Sequence, residues 1–199
     1  MASIASCARY GAARGYEHVM RVFIAIDLPN EFRETLRKIQ RELRALTESV
    51  RWVAPESIHI TLKFLGEIPD KRVDDIDAAL TGLTWKPFTV TVRGVGFFPG
   101  NRSPRVFWAG MEAPTMQGLA EKLDTRMEQL GFEKEKRAFR PHITLARAKN
   151  TRIDSALVSA AAQYDERNFG SFAADRVFLF KSTLKASGAV YEKLKEYLL

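Results

Sequence analysis

Two of the chain's three histidines sit in nearly the same phrase, Ile58-His59-Ile60-Thr61-Leu62 and Pro141-His142-Ile143-Thr144-Leu145. Residues two apart on a β-strand point to the same face, so each phrase presents an imidazole beside a hydroxyl. Two such strands facing each other would assemble an acid, a base and two hydroxyl ligands. Imidazole titrates close to neutrality and can serve as acid or base. One histidine would take a proton from water, and the other would protonate a leaving oxygen. Thr61 and Thr144 would hold the non-bridging oxygens of a phosphate and stabilise charge in the transition state. That set is enough to break a phosphoester without a metal. One isolated His-x-Thr carries little weight, because short motifs arise by chance. Two copies with the same flanking Ile and Leu carry far more. The competing reading is an internal duplication whose strands merely look alike.

With their flanks, these phrases resemble the two-histidine phosphoesterases. The closest group is the RNA 2′,3′-cyclic phosphodiesterases, also called LigT-like or 2′-5′ RNA ligases. The resemblance runs from Arg21 to the C-terminus. It is carried by RVFIAIDLP, by RWVAPESIHITLKFLGE with its leading Trp52, by GFFPGNRSPRVFWAG and by FRPHITLAR. It implies an α+β fold of two pseudo-symmetric lobes. Antiparallel sheets would line a central cleft, helices would lie outside, and each lobe would supply one histidine strand. It also implies an RNA end bearing a 2′,3′-cyclic phosphate as substrate, a 2′-phosphomonoester as product and no cofactor. The reverse step, joining such an end to a 5′-hydroxyl in a 2′-5′ linkage, is chemically available, but abundant water favours hydrolysis. His59 is assigned as the acid and His142 as the base. The near-equivalence of the two phrases leaves the opposite assignment open.

Three further residues enter by position. The resemblance makes Arg147, five residues past His142, a phosphate ligand, a role that suits the guanidinium fork. Strict alternation aims it away from the His142 face, so it reaches the site only if the strand ends or bulges after Leu145. Phe64 stands in the same relation to His59; the resemblance makes it a base-stacking candidate, against core packing. Lys63 shares the His59 and Thr61 face on strict alternation, where it would meet substrate phosphates or be exposed. Trp52, Trp108 and Phe23 are read as core, and Arg140 as setting an extended backbone before Pro141 rather than as catalytic.

Two other function classes compete. A metallohydrolase using His59 and His142 as ligands needs three or four donors, and neither phrase carries a carboxylate on its histidine face. A basic RNA- or nucleotide-binding module without turnover would not need two imidazoles set for proton transfer.

Composition fits the enzyme reading. The 199 residues are 46% hydrophobic and 28% charged, ordinary values for a globular chain, and the formal net charge is +7. A positive surface attracts polyanions, which favours RNA ends as the partner. No apolar run reaches the roughly 18 residues of a membrane helix. The lone Cys7 cannot form an intrachain disulfide, which suits a reducing, cytoplasmic setting. Residues 1–19 are rich in Ala, Ser and Arg, without the apolar stretch of a secretory signal. They are expected to be a disordered extension containing an inert His18, followed by a single domain over 20–199. Nothing suggests a second apolar face, so a monomer is expected.

Hydropathy periods place the motifs. Arg21–Asp27 reads as a buried strand. From Asn30 to Leu46 an apolar stripe of Phe32, Leu36, Ile39, Leu43 and Leu46 predicts a helix capped by Asn30. VRWV reads as a short strand, Ile58–Gly66 as the first histidine strand, and Asp70 as the cap of a helix packed through Val73, Ile76, Leu80 and Leu83. Phe88–Phe98 and RVFWAGME form a hairpin. A helix runs over 115–130 to Gly131, Arg140–Arg147 is the second histidine strand, and 154–163 is an Ala-rich helix. Asp175–Leu184 is a strand. The tail AVYEKLKEYLL fits helix or strand by its pattern, and the resemblance selects a strand.

Overall fold

The computed structural model describes residues 18–185 and 188–199. Among these residues nine strands and four α-helices follow in the order β1 (Val19–Asp27), α1 (Asn30–Arg44), β2 (Val50–Trp52), β3 (His59–Pro69), α2 (Arg72–Thr81), β4 (Phe88–Phe98), β5 (Val106–Glu112), α3 (Pro114–Gln129), β6 (His142–Ala148), α4 (Ser155–Ala161), β7 (Asn168–Ala174), β8 (Arg176–Lys185) and β9 (Gly188–Leu198). One 3₁₀ turn, Pro55–Ser57, precedes the first histidine.

The strands form two antiparallel sheets, ordered β3-β1-β8-β9 and β2-β6-β5-β4-β7. Each sheet holds one histidine phrase, and β3 packs against β6. This is the two-lobed arrangement that the resemblance implied. β3 and β9 are opposite edges of the first sheet, yet the Ser57 hydroxyl donates to the Ala189 carbonyl at 3.4 Å. That sheet therefore curls until its edges approach.

Two helices cross between lobes. α1 follows β1 of the first sheet but packs on β7 of the second. α3 follows β5 of the second but packs on β3 of the first. Buried residues from both sheets and all four helices consequently form one continuous core. A smaller cluster of Phe23, Ala25, Phe178 and Phe180 fills the curl of the first sheet.

Several local expectations shift. Strand pairing begins at Val19, and the His18 carbonyl accepts from the Asp70 amide at 3.0 Å, so these two residues belong to the fold. Residues 1–17 lie outside the described residues. α1 ends at Arg44, which leaves Leu46 exposed beyond the stripe. Neither Asn30 nor Asp70 supplies a side-chain cap to α1 or α2. Asp154 does cap α4, accepting from the Leu157 amide at 3.1 Å. β7 was not foreseen. Its NFGSFAA run is rich in small residues of low strand propensity, and it forms because the β4 edge offers unpaired backbone groups.

Both histidine strands contain a bulge at the same place. β1 pairs Ala25 with Thr61 and Ile24 with Lys63, skipping Leu62. β5 pairs Trp108 with Thr144 and Phe107 with Ala146, skipping Leu145. An extra residue reverses the facing of everything after it. Each bulge is held from the far side by a buried polar contact. Gln40 of α1, 2% exposed, donates to the Leu145 carbonyl at 3.0 Å and to the Val53 carbonyl at 2.8 Å. Lys63 pairs with Asp124 of α3 and donates to the Glu133 carbonyl at 2.6 Å. Burial pulls the Asp124 carboxyl upward, but Lys63 and the Glu135 amide outweigh it and hold the group below its ordinary range.

Replacing Gln40 by Met keeps its length and strips both donors. The variant should lose about 1–3 kcal/mol of stability, read as a lower urea midpoint at an unchanged m-value. The Val53 amide also donates to the Leu145 carbonyl at 2.9 Å, so an unchanged midpoint would mean that this bond alone holds the bulge.

Candidate active site

The bulges decide which side chains surround the histidines. His59, Ile60, Thr61 and Leu62 alternate half-buried and buried; Lys63 is then buried at 6% and Phe64 exposed at 60%. His142 to Arg147 repeats the pattern, with Ala146 buried and Arg147 exposed. Arg147 thus turns onto the His142 and Thr144 face, as a bulge at Leu145 requires. Phe64 turns onto the His59 face, where its ring centroid lies 6.0 Å from that of Phe23. Lys63 is the correction. Strict alternation put it beside His59 and Thr61, but the skipped Leu62 sends it to the opposite face and into its ion pair with Asp124.

The two imidazoles are held identically. His59 Nδ1 lies 2.8 Å from the Ser57 carbonyl, and His142 Nδ1 lies 2.8 Å from the Arg140 carbonyl. A carbonyl only accepts, so Nδ1 carries the hydrogen in both neutral rings and Nε2 keeps its lone pair. Arg33 of α1 fixes the turn before His59. Its guanidinium donates to the Pro55 carbonyl at 2.6 Å and the Ile58 carbonyl at 2.9 Å, and it pairs with Asp27. Lys193 takes the other Asp27 oxygen at 2.6 Å.

The surroundings of the two rings differ. His59 lies in an aromatic wall, with centroids 4.7 Å from Phe23, 4.9 Å from Tyr191 edge-on and 6.0 Å from Phe180. Burial in that wall pulls its pKa from 6.5 to about 4, partly offset by the Ser57 carbonyl and Asp27. His142 meets Phe98 edge-on at 5.0 Å. Its pKa is also lowered, first by burial and further by Arg147, with the Arg140 carbonyl opposing. Arg147 acts electrostatically on both histidines and on Tyr191, which places its charge between the lobes.

Three aromatic expectations divide. Trp52 packs edge-on against Phe107 in the core. Phe23 is buried and also walls His59. Trp108, opposite Thr144, lies 5.1 Å from Phe98, and its ring covers Gly96 so closely that a Cβ there would fall 2.3 Å away. Tyr191 was missed altogether. The only signal for it was a tail whose pattern fits two structures, and the curl that brings it to His59 is invisible in the sequence. Among the described residues no group of three or more His, Cys, Asp or Glu side chains is placed to hold a metal. No helix among them is long and apolar enough to cross a membrane.

Comparisons agree with this fold. The LigT like Phosphoesterase family matches residues 26–108 and 111–191. The chain is 33% identical over 178 residues to a Methanocaldococcus jannaschii protein named RNA 2′,3′-cyclic phosphodiesterase, covering 89% of this chain and 100% of that one. An Archaeoglobus fulgidus protein of the same name is 34% identical, with 89% and 99% covered. Among solved structures, TT0787 of Thermus thermophilus superposes with a TM-score of 0.78 at 33% identity, covering 90% of this chain and 98% of that one. E. coli LigT complexed with 3′-AMP superposes at 0.74 and 29% identity, with 92% and 99% covered.

The low imidazole pKa values have a consequence for stability. Between pH 6.5 and about 4 the unfolded chain binds a proton at residue 59 that the folded chain does not. Stability that is complete above pH 6.5 should therefore fall as pH drops toward about 4, by up to about 3 kcal/mol. His59→Gln should lack this component in urea melts across that window. NMR titration should find both imidazoles below 6.5, with His59 the lower.

Proposed function

This chain belongs to the LigT-like phosphoesterase family, and from that premise we propose that it hydrolyses RNA 2′,3′-cyclic phosphate ends to 2′-phosphomonoesters, using His59 and His142 and no metal. The observation that carries the reading is the matched pair of imidazoles. Each is locked through Nδ1 to the carbonyl two residues back, and both feel the charge of Arg147. The relatives' names supply the substrate class, and a bound 3′-AMP in E. coli LigT is in keeping with a nucleotide end.

Water attacks phosphorus in line with the leaving O3′. One Nε2 takes the water proton, and the other imidazolium protonates O3′. Thr61 and Thr144 donate hydroxyl hydrogen bonds to the non-bridging oxygens, and Arg147 offers its fork to the same charge. Phe64, exposed on the His59 face, supplies a surface for the terminal base. The reverse attack by a 5′-hydroxyl would make a 2′-5′ linkage through the same groups.

Electrostatics favour His59 as the base and His142 as the acid, the reverse of the assignment made from sequence. His59 sits deeper among aromatic rings and is the more firmly neutral in the free protein. A substrate whose O3′ is replaced by sulfur needs no protonation on leaving. It should rescue His142→Ala and leave His59→Ala impaired; rescue of His59→Ala instead would restore the sequence assignment.

Turnover of a cyclic-phosphate-ended oligoribonucleotide should persist in excess chelator, and either His→Ala change should cost about a hundredfold or more. The product should carry a 2′-phosphate. The kcat/KM profile should be bell-shaped, rising through about pH 4 as His59 loses its proton and falling below pH 6.5 as His142 does. Binding without turnover would move the protein to the binding-module class.

A further inference from the structure

β2 has no counterpart in the first sheet, where β3 is itself the edge strand. It runs antiparallel to β6 and places Arg51 directly opposite Arg147. Two flanking hydrogen bonds fix that register: the Lys149 amide to the Ser49 carbonyl at 2.8 Å and the Val53 amide to the Leu145 carbonyl at 2.9 Å. Directly opposed residues in a sheet share a face, with Cα atoms about 5.5 Å apart in such a pair. Val50 and Trp52 face the core, so Arg51 faces the cleft beside Arg147.

Both arginines are exposed, and among the described residues neither guanidinium has a hydrogen bond or an ion pair with another side chain or with the backbone. Like charges directly opposed across strands are destabilising. The arrangement becomes favourable when anions neutralise it. The two positions are not equivalent. β2 is the edge strand of its sheet, outside the β6 strand that carries His142, Thr144 and Arg147. Arg51 therefore stands one strand further from the histidine strand's own side chains, on the outer side of Arg147.

We propose that Arg51 forms a second phosphate subsite, which takes the phosphodiester next to the cyclic end and makes an oligoribonucleotide a better substrate than a cyclic mononucleotide. This rests on the hydrolase reading above. An exposed guanidinium suits that task because its fork grips phosphate oxygens without base preference. The subsite would read the presence of a chain, not its sequence.

The test compares adenosine 2′,3′-cyclic phosphate with the dinucleotide ApA ending in the same cyclic phosphate, on wild type and Arg51→Gln. Wild type should prefer the dinucleotide, and the preference should shrink as salt rises. Arg51→Gln should lower kcat/KM for the dinucleotide about tenfold, through KM. The loss should be confined to the substrate that carries the second phosphate. Equal loss on both substrates would place Arg51 on the reacting phosphate, and no loss on either would make it idle; each overturns the subsite. If wild type turned over neither compound, the hydrolase reading would fall by itself. Calorimetry with ApA ending in a 2′-phosphate and with adenosine 2′-phosphate would then decide the subsite, since Arg51→Gln should weaken only the dinucleotide. Arg51 is exposed, so the variant should melt with wild type or slightly above it.

Discussion

An extra residue at the same place in each histidine strand, three positions past the histidine, governs this molecule. Alternation along a strand allows His59 and Thr61 to share a face, and the next residue on that face would be Lys63. The bulge at Leu62 gives the place to Phe64, and the bulge at Leu145 gives the matching place to Arg147. A bulge interrupts the hydrogen-bond ladder and leaves a residue unpaired, so something else must hold it. Gln40 does so behind β6, and Lys63 with Asp124 does so behind β3. Both locks are buried, where an unmade hydrogen bond or a lone charge is costly.

The locks come from the helices that cross between lobes. α1 leaves the first sheet and pins the second sheet's bulge; α3 leaves the second and pins the first's. Each lobe thus carries half of its partner's active-site geometry. The shared core follows from the same exchange, because α1 and α3 carry buried residues of one continuous cluster across both sheets. Arg33, also on α1, extends this to the turn that orients His59.

Within this near-symmetry, two equal phrases acquire unequal chemistry. His59 meets Phe23, Phe180 and Tyr191 because its sheet curls edge toward edge; His142 meets Phe98 in a sheet that gains β2 instead. A hydrocarbon wall disfavours the imidazolium and keeps His59 neutral. Two identical phrases thus sit in unequal surroundings, and burial weighs on the two imidazoles to different degrees.

Much was legible from the chain alone. Period and turn residues marked every helix and all strands but β7 and β9, the resemblance selected a strand for β9, and the doubled His-x-Thr marked two matching strands, one in each sheet. These signals are local, since alternation, helical spacing and motif identity are set by neighbouring residues. Gln40 left a trace, a polar residue beside the Leu36, Ile39 and Leu43 stripe, but its partner lies 105 positions away. Which face Lys63, Phe64 and Arg147 occupy, and that Tyr191 and Arg51 reach the cleft, were decided by tertiary structure. A bulge is a mismatch between two strands, a curl brings opposite sheet edges together, and a cross-strand pair depends on register. Each is a relation between distant segments, which only their packing defines.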